Sequence, residues 1–151
     1  MTLYEKSTDN LMNTLVRTSP SDWKDFTSRE FEKGEPTFFG YIDSLLAKKG
    51  MKRQDVLIRA NLSQKYGYKL LSGEAHTSDR DKILRICFSM EMSLKETQRA
   101  LKLYGMNALY PKVKRDVVLI VALGQKMFDI DQVNEMLLKE GFAPLYDAGE
   151  A

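Results

Sequence analysis

Cysteine and histidine are almost missing from this sequence: Cys87 and His76 are the only ones. A single thiol cannot build a disulfide framework, and one imidazole without a nearby second ligand offers no zinc site. His76 therefore reads as a plain loop residue and Cys87 as a small core residue on the apolar side of a helix. Long hydrophobic runs are missing too. The longest uncharged apolar run, Val117 to Gly124, falls far short of the roughly 20 residues that span a bilayer. Met1 to Asp9 is polar and has no signal-peptide core. A cytoplasmic chain without a membrane partner is the expectation. There is no glycine-rich phosphate cradle, nucleophile elbow or pair of carboxylates in an apolar setting, so neither enzyme chemistry nor a cofactor is expected.

What is present suits one compact domain with a real core: 151 residues, 43% hydrophobic and 29% charged. Its charge is nearly balanced overall, at +2, but unevenly spread. Residues 1–36 carry five basic and seven acidic side chains, residues 37–92 ten and six, and residues 93–151 eight of each. The middle third alone has an electrostatic preference for polyanions. The excess concentrates between Lys48 and Lys69, where Lys48, Lys49, Lys52, Arg53, Arg59, Lys65 and Lys69 face only Asp55. In that stretch Asn61-Leu-Ser63 separates two short helical patterns. A helix, a tight turn and a basic second helix are the parts needed to lay side chains in a DNA major groove. Asp55 is spaced to pair with Arg59 one helical turn on.

Residues 1–36 read as an N-terminal arm. Asp9 can cap a short helix carrying Leu11, Met12 and Leu15, broken at Thr18-Ser-Pro-Ser21. Trp23, Phe26 and Phe31 follow, either packing on the main body or leaving a partly disordered segment. From Thr37 onward helix signals succeed one another. Thr37 can cap a helix with Phe38, Phe39, Ile42, Leu45 and Leu46 on its apolar face, closed by Gly50. A second runs from about Lys52 to Ala60 with Val56 and Leu57 inward, ended by Asn61. A third runs from Ser63 to Ser72, closed by Gly73. Ser78 opens a fourth, with Ile83, Leu84, Cys87, Phe88 and Met90 apolar. No period-2 strand pattern is sustained, so the fold class is all-α.

The last 70 residues contain a repeat. Ser93 to Tyr110 aligns with Asp129 to Tyr146, matching Leu101, Gly105, Leu109 and Tyr110 with Leu137, Gly141, Leu145 and Tyr146. Each copy opens with a capping-box pattern, Ser93 with Glu96 and Asp129 with Gln132. Upstream, Arg80-Asp81 corresponds to Arg115-Asp116. Two repeated helical hairpins are implied. Two are fewer than a free-standing solenoid needs, so they should pack on the preceding helices. The run Val117–Leu123 is apolar nearly all round, as in a helix buried on several sides or partly facing another subunit. The eight methionines read as helix packing.

From Phe39 to Met90 the chain resembles the helix-turn-helix domain of phage lambda repressor, Cro and the Xre group of bacterial regulators. The matching elements are Ile42-Asp-Ser-Leu-Leu46, Gly50-Met-Lys-Arg-Gln-Asp-Val56, Asn61-Leu-Ser63, Gln64 to Gly73, and Thr77-Ser78. The extension, with Glu96-Thr-Gln98 and Leu109-Tyr-Pro-Lys-x-x-Arg-Asp116, looks like a subgroup with long helical C-termini in low-GC Gram-positive bacteria. The resemblance implies an arm (1–36), a helix-turn-helix domain (37–92) and a helical extension (93–151). It implies a transcriptional regulator bound to double-stranded DNA, acting as a homodimer. Arg53, Ser63, Gln64, Lys65, Tyr66, Tyr68 and Lys69 are then the expected DNA-contacting residues, with one tyrosine of the pair turned to the core. Three positions depart from the pattern: Leu57 replaces the usual small Ala, Arg53 the usual Gln, and Gly67 the usual apolar residue. The departures leave open a second reading, a protein-interaction adaptor that keeps the fold without reading bases. In either case one tyrosine beside Gly67 is expected to fill the missing volume.

Overall fold

A computed structural model describes residues 8–20, 22 and 37–146. Two compact units divide the chain, Met1–Thr37 and Phe38–Ala151. The first contains helix α1, Thr8–Arg17. Asp9 lies inside its first turn instead of capping it from outside, and Met12, Leu15 and Val16 are exposed. The expected packing of Trp23, Phe26 and Phe31 lies outside the described residues.

In the second unit the described helices are α2 (Phe38–Lys49), α3 (Arg53–Arg59), α4 (Gln64–Ser72), α5 (Arg80–Ser89), α6 (Leu94–Leu103), α7 (Lys114–Gly124) and α8 (Ile130–Lys139). No strand occurs among the described residues, and no described helix is long and apolar enough to cross a membrane. Helix α5 is the hub, touching α3, α6 and α8. Every residue from Ile83 to Met90 is buried, including Arg85 and Ser89. Burial pushes the Cys87 thiol up to about 12, so it sits in the core as a neutral apolar group.

Six of the described helices end with one shared device. A residue in the left-handed conformation is followed by an apolar one whose N–H reaches back five residues, the Schellman geometry. The pairs are Gly50–Met51, Asn61–Leu62, Glu91–Met92, Gly105–Met106, Lys126–Met127 and Gly141–Phe142. The returning bonds span 2.8–3.1 Å, from Met51 N to Leu46 O through to Phe142 N to Leu137 O. Each apolar residue then folds onto the core. Met51, Met92, Met106 and Met127 thus work just beyond helix ends and not along helices, as composition suggested.

In the second unit the starts at Ser63 and Ser93 agree with expectation, and those near Ser78 and at Asp129 differ. Ser63 accepts from the Tyr66 N–H, and Ser93 with Glu96 forms the full reciprocal box. The α5 cap is Asp79, one residue after Ser78, because its carboxylate takes the Asp81 N–H. Asp129 likewise takes the nearer Asp131 N–H at 3.0 Å, so the expected box with Gln132 does not form.

Positions 36 apart in α6 and α8 make the same contact. The side-chain oxygen of Gln98 accepts from Leu109 N, and that of Asn134 accepts from Leu145 N, both at 2.7 Å. The two Arg-Asp pairs cross between α5 and α7. Arg80 binds Asp116 and Arg115 binds Asp81, each with two guanidinium–carboxylate bonds. Helix α7 is less enclosed than its composition implies: Leu119, Ala122 and Leu123 are buried, but Val117 and Val121 remain exposed. The two valines lie beside a cleft shared with Met136 and Phe142.

Leu137 and Leu138 are neighbours with opposite fates, 0% and 59% exposed. Leu137→Ala should lose about 2–5 kcal/mol in denaturant unfolding, and Leu138→Ala no more than about 0.5 kcal/mol. Similar losses from the two would contradict this placement of α8.

Candidate nucleic-acid interface

The segment that could meet DNA is α3, its turn and α4. Val56 and Leu57 anchor α3 inward. The chain reverses at Asn61, where φ is +56°, a conformation Asn tolerates better than most residues. Leu62 is buried and pins the turn, and Ser63 starts α4. Gly67, Leu70 and Leu71 form the buried side of α4.

Gly67 and Leu57 form one packing unit. A Cβ at Gly67 would lie 2.4 Å from Leu57 Cδ2 and 2.8 Å from Cδ1. Leu57, fully buried, thus fills the space a larger α4 residue would take. The two departures from the family pattern compensate each other: the large residue has moved to α3 and the small one to α4. Neither tyrosine fills the volume, contrary to expectation. Tyr66 packs against the core with Lys82 Nζ 5.3 Å above its ring, whereas Tyr68 is 40% exposed.

The seven expected contact residues are not equivalent. Lys65 and Tyr68 are exposed on α4, and Lys69 is half-buried in its last turn. Among the described residues neither lysine makes an ion pair. Gln64 is half-buried and its side-chain N–H donates to Gln54 O at 3.3 Å, bracing the start of α4 against α3. The Ser63 hydroxyl oxygen is engaged in the cap. Arg53 is ion-paired with Asp43 of α2, and Tyr66 is mostly inward. Lys65, Tyr68 and Lys69 are therefore the three brought together on one helix without such ties.

Other parts of the basic stretch are diverted. Lys49 lies 3.2 Å from Glu96 and donates to Glu91 O, tying the end of α2 to the start of α6. Burial works to raise the Glu96 carboxyl, but the Ser93 N–H and Lys49 outweigh it and hold the group below its ordinary range. Arg59 does not pair with Asp55; its guanidinium points to Met51 Sδ at 3.8 Å. His76 stacks on Tyr104 with ring centres 4.7 Å apart, and no metal-binding cluster occurs among the described residues. Sequence reasoning passed over Arg85 and Lys82. A lone arginine inside Ile83-Leu-Arg-Ile-Cys-Phe88 was the available sign of a buried, fully satisfied charge.

Residues 41–96 match the family model for the Cro/C1-type HTH DNA-binding domain. The segment from α2 into the start of α6 is a lambda repressor/Cro-like helix-turn-helix domain, and every regular element among the described residues is a helix. No curated protein and no solved structure matches the chain.

The Leu57–Gly67 fit can be tested by a double-mutant cycle. Gly67→Ala gains about 1 kcal/mol of helix propensity but overpacks the joint by about 1–3 kcal/mol, so a net loss is expected. In a Leu57→Ala background the same change should stabilise by about 1 kcal/mol. Additive effects in chemical unfolding would refute the direct packing of the two residues.

Proposed function

We propose that this protein is a sequence-specific DNA-binding transcriptional regulator that reads the major groove with α4. The observation that supports this most is the division of α4 itself. Its Gly67, Leu70 and Leu71 side is buried on the domain, while Lys65 and Tyr68 are exposed and Lys69 is partly so. A helix held by one side and basic on the other suits phosphate contact by the lysines and base-edge or thymine-methyl contact by Tyr68. Ser63 and Gln64, at the helix start, and Arg53 on α3 would contribute at the groove edge. Arg53 must first exchange Asp43 for a phosphate, and Tyr66 acts by positioning the helix.

The exposed Val117 and Val121 support a homodimer. With Val118, Met136 and Phe142 they line an apolar cleft between α7 and α8, rimmed by Lys114, Lys139 and Glu140. A symmetry mate covering this face would present two α4 helices to half-sites about one DNA turn apart. The same face supports the second reading, in which a different protein occupies it and base reading has been lost; Arg53 already spent on Asp43 favours that reading.

Lys65→Ala/Lys69→Ala should weaken duplex binding and flatten the slope of log K against log salt by about 0.9 for each phosphate no longer neutralised. Titration with the wild-type chain should saturate at two chains per duplex, with dimers in sedimentation equilibrium. Unchanged affinity and slope in a folded double variant would remove α4 from the interface. A strict monomer at saturation would remove the dimer.

A further inference from the structure

The chain leaves α8 through residues 143–146, a strap tied to three helices. Arg115 of α7 donates from Nε to Ala143 O at 3.1 Å and from Nη2 to Pro144 O at 3.3 Å. On α8, Asn134 Oδ1 accepts from Leu145 N at 2.7 Å and Asp131 Oδ1 accepts from the Tyr146 hydroxyl at 2.6 Å. From α5, Arg85 donates to Leu145 O at 3.5 Å, and its guanidinium carbon lies 5.2 Å from the centre of the Tyr146 ring. The same guanidinium donates to Ala60 O and Asn61 O, at 3.0 and 3.1 Å, where the helix-turn-helix reverses. We infer that the strap is a latch on that turn: seated, it steadies the start of α4, and released, it loosens α4 and weakens DNA binding. Leu145 and Tyr146 are then positioning residues that act through Arg85. The step from turn to DNA rests on the reading of α4 proposed above; the step from strap to turn does not.

The two hairpins differ at the point that matters. Gln98 closes both polar backbone atoms of Leu109, accepting from its N–H at 2.7 Å and donating to its carbonyl at 2.8 Å. Asn134, at the matching position, is one methylene shorter. It takes the Leu145 N–H, and the Leu145 carbonyl accepts from Arg85. The Leu109 carbonyl is thus held within its own hairpin, whereas the Leu145 carbonyl reaches the helix-turn-helix through a buried cation.

Burial gives the contact its weight. Arg85 has no exposed surface, so water does not replace an acceptor or a ring withdrawn from it. A cation on a ring face is also held more strongly when the pair is desolvated. Phe142, immediately before the strap, lines the cleft between α7 and α8. The latch therefore joins that apolar face to the turn that carries α4.

Native-state hydrogen exchange of the full chain tests the latch without DNA. In Tyr146→Ala, a change at a half-exposed side chain, the Ala60 and Leu62 amides that close α3 should gain about tenfold in exchange rate over any gain at the Tyr104 and Met106 amides that close α6. Uniform destabilisation would speed both groups alike. Tyr146→Phe keeps a ring beside Arg85 and should restore most of the protection. Duplex affinity should fall at least about threefold in Tyr146→Ala with an unchanged salt slope, since no phosphate contact is lost. No gain at the turn, equal gains at both helix ends, Tyr146→Phe no milder than Tyr146→Ala, or full duplex affinity in the loosened variant would overturn the proposal. A wild-type chain that binds no duplex would overturn the reading of α4 instead, and the exchange result would still decide the latch.

Discussion

The arrangement of the second unit depends on one buried cation. Helix α5 is enclosed along Ile83 to Met90, and Arg85 sits in the middle of that stretch with no exposed surface. A guanidinium taken out of water must find acceptors. Arg85 finds them at the end of α3: Nε donates to Ala60 O at 3.0 Å and Nη2 to Asn61 O at 3.1 Å. Helix ends concentrate unsatisfied carbonyls and partial negative charge, so they suit a buried arginine. A third arm reaches Leu145 O at 3.5 Å, and the Tyr146 ring lies 5.2 Å from the guanidinium carbon. One side chain thereby fixes the turn of the helix-turn-helix to the central helix and to the segment after α8.

With the turn held, the pose of α4 is set by packing. Leu57 enters the space left by Gly67, so the two helices approach closely despite the large residue on α3. This close fit leaves Lys65 and Tyr68 outward. The helix-turn-helix is therefore braced from two sides, by hydrogen bonds at the turn and by van der Waals contact at the crossing. A local substitution at either brace would be felt at the basic side of α4 through the backbone, without touching a lysine.

Much of this was legible in the sequence. The helices from α2 to α4, their inward residues, the left-handed Asn61, the closing Gly73 and the Ser93 box all follow from local patterns of period and capping. Interactions between distant positions did not follow. Leu57 and Gly67 are each anomalous alone, and only their packing shows that one offsets the other. The Arg80-Asp81 and Arg115-Asp116 match was visible, but the crossing of the pairs between α5 and α7 is a long-range fact. Among the expected site residues, charge alone could not separate Lys65, which is exposed, from Arg53, which Asp43 holds. Schellman ends at Glu91 and Lys126 were hidden because neither residue is Gly or Asn.

Base reading by the exposed side of α4, as proposed, is open to direct measurement. Selection from random duplex DNA at moderate salt, followed by salt titration of the enriched pool, measures this directly. A base-reading α4 should enrich a defined motif whose advantage over random duplex persists as salt rises, since base contacts add discrimination that phosphate contacts lack. Binding that enriches no motif and vanishes with salt equally for every sequence would contradict it.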